Sequence, residues 1–232
     1  MRVLVIQHDD DKPLGRFEEP LRAEGLELDR RFAGRELIQL EDHAAVIGLP
    51  GFANPVDDTE AINSTRNTFR AALADGRPAL GLCLGAQLLA QAAGAVAGRC
   101  DREYGYAPVE LTVAARDDRL LAGLPSPWEV FHAHDYAVSL PIGATPLAYT
   151  ASSLQAFHMA PSAWGLQFHP EPTVEVVDQW VTQHERFLRA NGAEPTQVAA
   201  DARRLDPLTH ELTDLIARRF AAVIREHASR PA

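Results

Sequence analysis

Ala79-Leu80-Gly81-Leu82-Cys83-Leu84-Gly85-Ala86-Gln87-Leu88-Leu89-Ala90-Gln91 is the stretch whose reading decides the fold. Its first four residues suit a buried strand and Ala86 to Gln91 suit a helix, so Cys83 falls at the joint. A side chain on such a tight turn stands clear of both elements. Gly81 and Gly85 keep larger groups from crowding the turn or holding the helix off the strand. The helix dipole at this position favours a thiolate.

Outward from this joint, the first half alternates short apolar runs with helical periodicity. Strands are predicted near 2–7, 26–32, 44–48 and 79–82. Helices are predicted near 14–24, 57–76 and 86–94, the second carrying Ile62, Phe69 and Leu73 and stopped by Asp75-Gly76-Arg77-Pro78. This alternation implies an α/β fold, a mostly parallel doubly wound (flavodoxin-like) sheet with helices on both faces. Short, turn-bounded strands near 109–114, 128–133, 145–150, 155–159 and 163–168 then imply an antiparallel extension. Apolar residues from Val174 to Leu188 repeat at three and four behind a capping Thr173. Leu208, Leu212, Leu215, Ile216, Val223 and Ile224 mark a last helix after Pro207. The expected organisation is one domain over 1–232, a core over 1–190 followed by a helical C-terminal tail over 191–232.

A nucleophile needs a base, and Gly165-Leu166-Gln167-Phe168-His169-Pro170-Glu171 offers one. His169 can take the thiol proton, and Glu171 can hold the imidazole in the useful tautomer. Taken singly, Cys83 reads as a small buried hydrophobe and His169 as a strand-end histidine. Together with the strand-to-helix context they read as a catalytic set of Cys83, His169 and Glu171.

With both segments in view, the chain resembles the triad-type (class I) glutamine amidotransferases, whose hallmarks are a GxCxGxQ elbow and a late FHPE-type segment. The likeness extends to Arg2-Val3-Leu4-Val5-Ile6-Gln7-His8, to Val46-Ile47-Gly48-Leu49-Pro50-Gly51, and to Val130-Phe131-His132-Ala133-His134 closing at Leu140-Pro141. It covers roughly residues 1–190 and is nearest to free-standing members without a synthase domain. The resemblance implies hydrolysis of a γ-glutamyl amide through a γ-glutamyl thioester, with no metal and no cofactor. It implies an oxyanion hole formed by the backbone N–H groups of Leu49 and Leu84, and substrate contacts at Gly48, Gln87, His134, Asp135 and Tyr136. Two departures stand out. The family's Gly-Gly-Pro is Gly48-Leu49-Pro50 here, and a common His-Gly-Asp is His134-Asp135-Tyr136. Leucine keeps the N–H but resists the peptide flip that glycine permits.

Three functions stay open at this point. Glutamine hydrolysis could feed ammonia to a separate synthase subunit, or the chain could be a stand-alone hydrolase of γ-glutamyl amides or peptides, or a non-catalytic binding protein with the same fold. A homo-oligomer is compatible with each.

Composition narrows the partners. A net charge of −10 over 232 residues, with no Lys/Arg block, argues against nucleic acid. The uncharged stretch from Ala79 to Gly98 is interrupted by Gly81, Gly85, Gly94, Gly98 and two glutamines, which argues against a membrane span. Two cysteines do not make a disulfide framework, so a reducing cytoplasm is expected, with no signal peptide before the first strand. Nine histidines raise a metal site, with His132, His134 and His158 beside His169, but no usual zinc spacing is present. Asp9-Asp10-Asp11 reads as a solvated loop at the end of the first strand rather than a cation site.

Overall fold

The computed structural model describes residues 1–229. Among these described residues, nine strands form one sheet in the order β2-β1-β3-β4-β9-β8-β7-β5-β6. The parallel half consists of β1 (Arg2–Gln7), β2 (Glu27–Phe32), β3 (Ala45–Gly48), β4 (Ala79–Leu82) and β9 (Ala163–Leu166). Here β1, β3, β4 and β9 are almost wholly buried, as apolar strands covered on both faces must be. Edge strand β2 instead carries Asp29, Arg30 and Arg31, whose charges discourage pairing with another chain.

Side chains alternate across the sheet, so β1 feeds two cores. Leu4 and Ile6 meet α2 (Glu60–Ala74) and α3 (Leu84–Ala92) through Ile62, Phe69, Leu88 and Leu89. Val3 and Val5 face the other side, in one cluster with Leu21 of α1 (Glu18–Ala23) and with Ile216 and Phe220 of the long C-terminal helix α6 (Pro195–Ala228). The predicted layering is thus the observed one.

The antiparallel half is larger than the sequence pattern suggests. β5 runs over Ala97–Leu111 and pairs along β6 (Trp128–Val138), while β7 (Thr145–Tyr149) and β8 (Leu154–Met159) connect the ribbon to β9. Only the end of β5 was predicted, because Arg99, Asp101, Arg102 and Glu103 hide its strand character. Most of β5 is exposed or half-buried, so cross-strand pairing rather than an apolar run defines it.

Two helical expectations are corrected. The last helix does not begin after Pro207 but at Pro195, with Pro207 inside it. Val198, Ala202 and Leu205 before the proline and Thr209 and Leu212 after it are all buried, so packing outweighs the lost backbone bond. The helix capped by Thr173 is broken at His184 into α4 (Val174–Gln183) and α5 (Glu185–Ala190). No described helix is long and apolar enough to cross a membrane.

Candidate active site

Cys83 sits between β4 and α3 at φ +48°, one of two non-glycine residues with positive φ among those described. Its N–H donates to the Leu166 carbonyl at 2.8 Å, tying the turn to β9. The strain persists because the neighbours leave no other room. A Cβ on Gly85 would lie 2.1 Å from the Gly48 carbonyl oxygen, and one on Gly81 would lie 2.5 Å from the Gly85 carbonyl. Gly48 is therefore a packing surface for α3 and is not part of the cavity lining, which corrects its expected role in substrate contact.

β9 leads into His169. His169 follows Leu166 by three residues, and its N–H donates to the Phe131 carbonyl of β6 at 2.8 Å. Its Nδ1 is 2.7 Å from Glu171 Oε1, both side chains being buried. Nε2 is buried and makes no geometric hydrogen bond among the described residues, and interaction with Cys83 acts on the ring. Burial alone would lower the His169 pKa, but Glu171 and Cys83 outweigh it and raise the value to about 10. The ring therefore holds its proton at neutral pH between a carboxylate and a sulfur.

The segment bearing Glu171 is clamped from two sides. Arg16 donates its backbone N–H to the Glu171 carbonyl at 2.9 Å, and its Nε donates to the Pro172 carbonyl at 3.0 Å. Thr213 of α6 donates its hydroxyl to the Pro170 carbonyl at 2.9 Å. Gly15 has φ +60° and lies where any Cβ would come 2.1 Å from the Glu171 carbonyl oxygen, so this clamp requires glycine.

Leu84 opens α3, so its N–H has no carbonyl one turn back within the helix. Leu49 departs from expectation. Its N–H donates to the Ile6 carbonyl at 2.9 Å and its side chain is fully buried in the core. The sheet thus uses the amide that was expected to face the thiol.

A cavity of about 310 Å³ opens over Cys83, and Gln87, His134, Asp135, Tyr136 and His169 all line it. Gln87 Nε2 donates to the Tyr136 carbonyl at 2.8 Å and to Gln167 Oε1 at 3.0 Å, and Gln167 Nε2 stands 3.6 Å from Cys83 Sγ. Asp135 pairs with Arg99, whose guanidinium lies 4.6 Å from the centre of the Tyr136 ring. Sequence reasoning missed Gln167, although it adjoins the FHPE segment. It also missed Lys12, Phe52, Tyr104, Trp180, His184 and Phe187, which complete the wall from elements far apart in the chain.

Of the histidines raised as metal ligands, His132 and His134 join Glu103 in a group whose ligand atoms all lie within 4.8 Å of one another. His158 does not belong to it: its ring stacks on Trp164 with centroids 4.4 Å apart. Glu103 already has protein partners. His134 Nε2 lies 3.2 Å from Glu103 Oε2, which accepts from Gln155 Nε2 at 2.8 Å and Ser153 Oγ at 3.1 Å. Burial works against its ionisation, but hydrogen bonds from His134 and Thr150, with the charges of His134 and His132, hold its pKa down to about 2. In the acidic loop, Asp9 Oδ2 accepts from the Phe52 N–H at 2.8 Å, Asp10 pairs with Arg35 and Asp11 with Lys12.

Comparison with known proteins agrees with this geometry. The family model for glutamine amidotransferase class I matches residues 25–186. A GMP synthase [glutamine-hydrolyzing] from Porphyromonas gingivalis is 39% identical over 137 residues, covering 56% of this chain but only 26% of that relative. The imidazole glycerol phosphate synthase subunit HisH of Symbiobacterium thermophilum is 34% identical over 164 residues, 61% of this chain and 77% of the relative. A glutamine amidotransferase structure from Thermotoga maritima superposes with TM-score 0.86 at 25% identity, covering 95% of this chain and 98% of that one. The chain belongs to the class I glutamine amidotransferases.

Proposed function

From membership of that family we propose that the chain hydrolyses a γ-glutamyl amide, with Cys83 as nucleophile, His169 as acid and base, and Glu171 as the group that orients His169. The supporting observation is the strained turn that presents Cys83 beside a buried His169–Glu171 pair 2.7 Å apart. The Cys83 thiolate adds to the γ-carbonyl carbon, and the carbonyl electron pair moves onto oxygen, facing the Leu84 N–H. As that pair returns, the C–N bond breaks and its electrons take the His169 proton, releasing ammonia or an amine. A γ-glutamyl thioester remains. Neutral His169 then takes a proton from water, hydroxide adds to the thioester carbon, and the thiolate departs as glutamate forms. No step calls for a metal or cofactor.

The second oxyanion donor needs a new assignment, since Leu49 bonds to Ile6. In the loop that lines the cavity, Pro50 has no N–H and the Phe52 N–H is held by Asp9. The Asn54 N–H is held by Asp57, and of the Gly51 and Ala53 amides that remain, Gly51 is the one set against α3, where a Cβ would come 2.8 Å from Leu84 Cδ2. We assign the role to the Gly51 N–H.

Two fates of the amine remain. Delivery of ammonia to a separate synthase is supported by the names of the relatives, which are a glutamine-hydrolyzing GMP synthase and a subunit of a synthase. Autonomous hydrolysis is supported by the breadth of the cavity. The test is glutamate release from glutamine and a panel of γ-glutamyl amides by the purified chain. Release that depends on Cys83 supports the reading, and an inert panel contradicts it.

A further inference from the structure

In the reaction proposed above, the amine departs on the His169 side of Cys83. The wall on that side is richer than ammonia requires. A crevice lined by His169, Glu171, Pro172 and Val176 shares Lys12, Ala133, His169 and Trp180 with the main cavity, whereas Gln87, His134 to Tyr136, Phe52 and His184 line the main cavity alone. The Lys12–Trp180 end of the main cavity, with Phe52 and His184 against it, is therefore the one that continues into the crevice beside His169, and Gln87 marks the polar end.

That second end is built of rings around a cation. Lys12 Nζ lies 4.4 Å from the Phe52 ring centre and 5.8 Å from that of Trp180, and the His184 ring lies 5.3 Å from Phe52 and 5.5 Å from Trp180. The break between α4 and α5 places His184 at this point. Phe52 is 53% exposed although it faces a cavity, and Phe187, which also lines it, is 44% exposed. Large apolar side chains left open around a cavity mark a binding surface. Lys12 already fills the cationic place among the rings, so it repels a positively charged guest and attracts an anion. Its acidic partner is Asp11 at 3.1 Å, a partly exposed pair that an incoming carboxylate can replace at little cost.

We propose that this end is a leaving-group subsite and that the substrates are γ-glutamyl amino acids whose leaving residue has an aromatic side chain and a free carboxylate. The side chain stacks among Phe52, Trp180 and His184, and the carboxylate pairs with Lys12. The inference rests on the γ-glutamyl hydrolase reading and narrows it. Glutamine, which leaves only ammonia, fills the Gln87 end alone.

The test compares kcat/KM for γ-glutamylphenylalanine, γ-glutamylglycine, γ-glutamylphenethylamide and glutamine, using the wild-type chain and the variants Lys12→Met and Phe52→Ala, with circular dichroism to establish folding. The phenylalanine compound should exceed both the glycine compound and the carboxylate-free phenethylamide by about tenfold, the scale of one aromatic contact or one charge-assisted bond. Phe52→Ala should shrink the first ratio several-fold, and Lys12→Met should bring the second close to one. Four similar values in the wild type, or ratios unmoved in folded variants, overturn the subsite while the γ-glutamyl reading stands. No glutamate from any compound overturns the reading beneath it.

Discussion

The parallel half of the sheet and the β5–β6 ribbon hold their functional residues in different ways. In the parallel half, backbone approaches backbone: Gly48, Gly81 and Gly85 interlock β3, β4 and α3 with no space for a methyl group, and Cys83 is fixed by that closure. In the ribbon, polar side chains are buried against one another, with Glu103, His132 and His134 meeting Gln155 of β8 in one cluster beside the cavity that His134 lines. The lesson is that Cys83 is placed by steric necessity, whereas the ribbon side of the cavity is placed by side-chain pairing. Such pairing is open to change without loss of the fold.

The sharpest break between the halves comes from chemistry. Cys83→Ala should abolish glutamate release, with a loss of roughly 10⁴-fold or more, and keep the wild-type circular dichroism spectrum. A folded variant with undiminished turnover would remove Cys83 from the mechanism. Next in size, His169→Ala should cost at least about tenfold more in kcat than Glu171→Gln, because one moves the proton and the other orients the mover. Equal and complete losses would give Glu171 a chemical part.

Stability separates the halves next. Gly85→Ala puts a Cβ 2.1 Å from a backbone oxygen and should cost about 3 kcal/mol or more. Gly98→Ala, in β5 with nothing within 4 Å of its Cβ position, should stay within about 0.5 kcal/mol. Urea titration of both checks this, and similar midpoints would contradict the contrast.

The smallest expected effect is specific to the ribbon. Burial first, then His134, lowers the His132 pKa from 6.5 to about 4. Below pH 6.5 the unfolded chain takes a proton that the folded chain refuses, so stability falls with pH until about 4 and then levels off. His132→Gln should lose less stability than wild type between pH 7 and 4.5, by roughly 2 to 3 kcal/mol. Parallel pH curves for the two would show that His132 does not titrate in this window.

This contrast also explains what could be read from the chain. Leu80 to Gln91 and Gly165 to Glu171 carry their roles in local order, since a strand, a turn and a helix are neighbours in sequence. The ribbon was half hidden because the charges of Arg99 to Glu103 are matched only across strands. Leu49 was misassigned because its N–H finds its acceptor on β1, a pairing set by sheet register rather than by the loop sequence. Lys12, Phe52 and Trp180 meet only after folding, and Pro207 reads as a helix start unless the buried residues on both sides are known.

The central claim is that Cys83, and no other thiol, is the nucleophile. Cys100 offers an internal control. It is half-buried in β5, and burial with Glu103, Asp135 and Asp101 pushes its pKa up to about 11. The direct measurement is treatment of the intact chain with a glutamine-like diazoketone, followed by peptide mass spectrometry. The account predicts one label per chain, on Cys83, blocked by excess γ-glutamyl substrate and absent from His169→Ala at the same exposure. Labelling of Cys100 with Cys83 unmodified would contradict it.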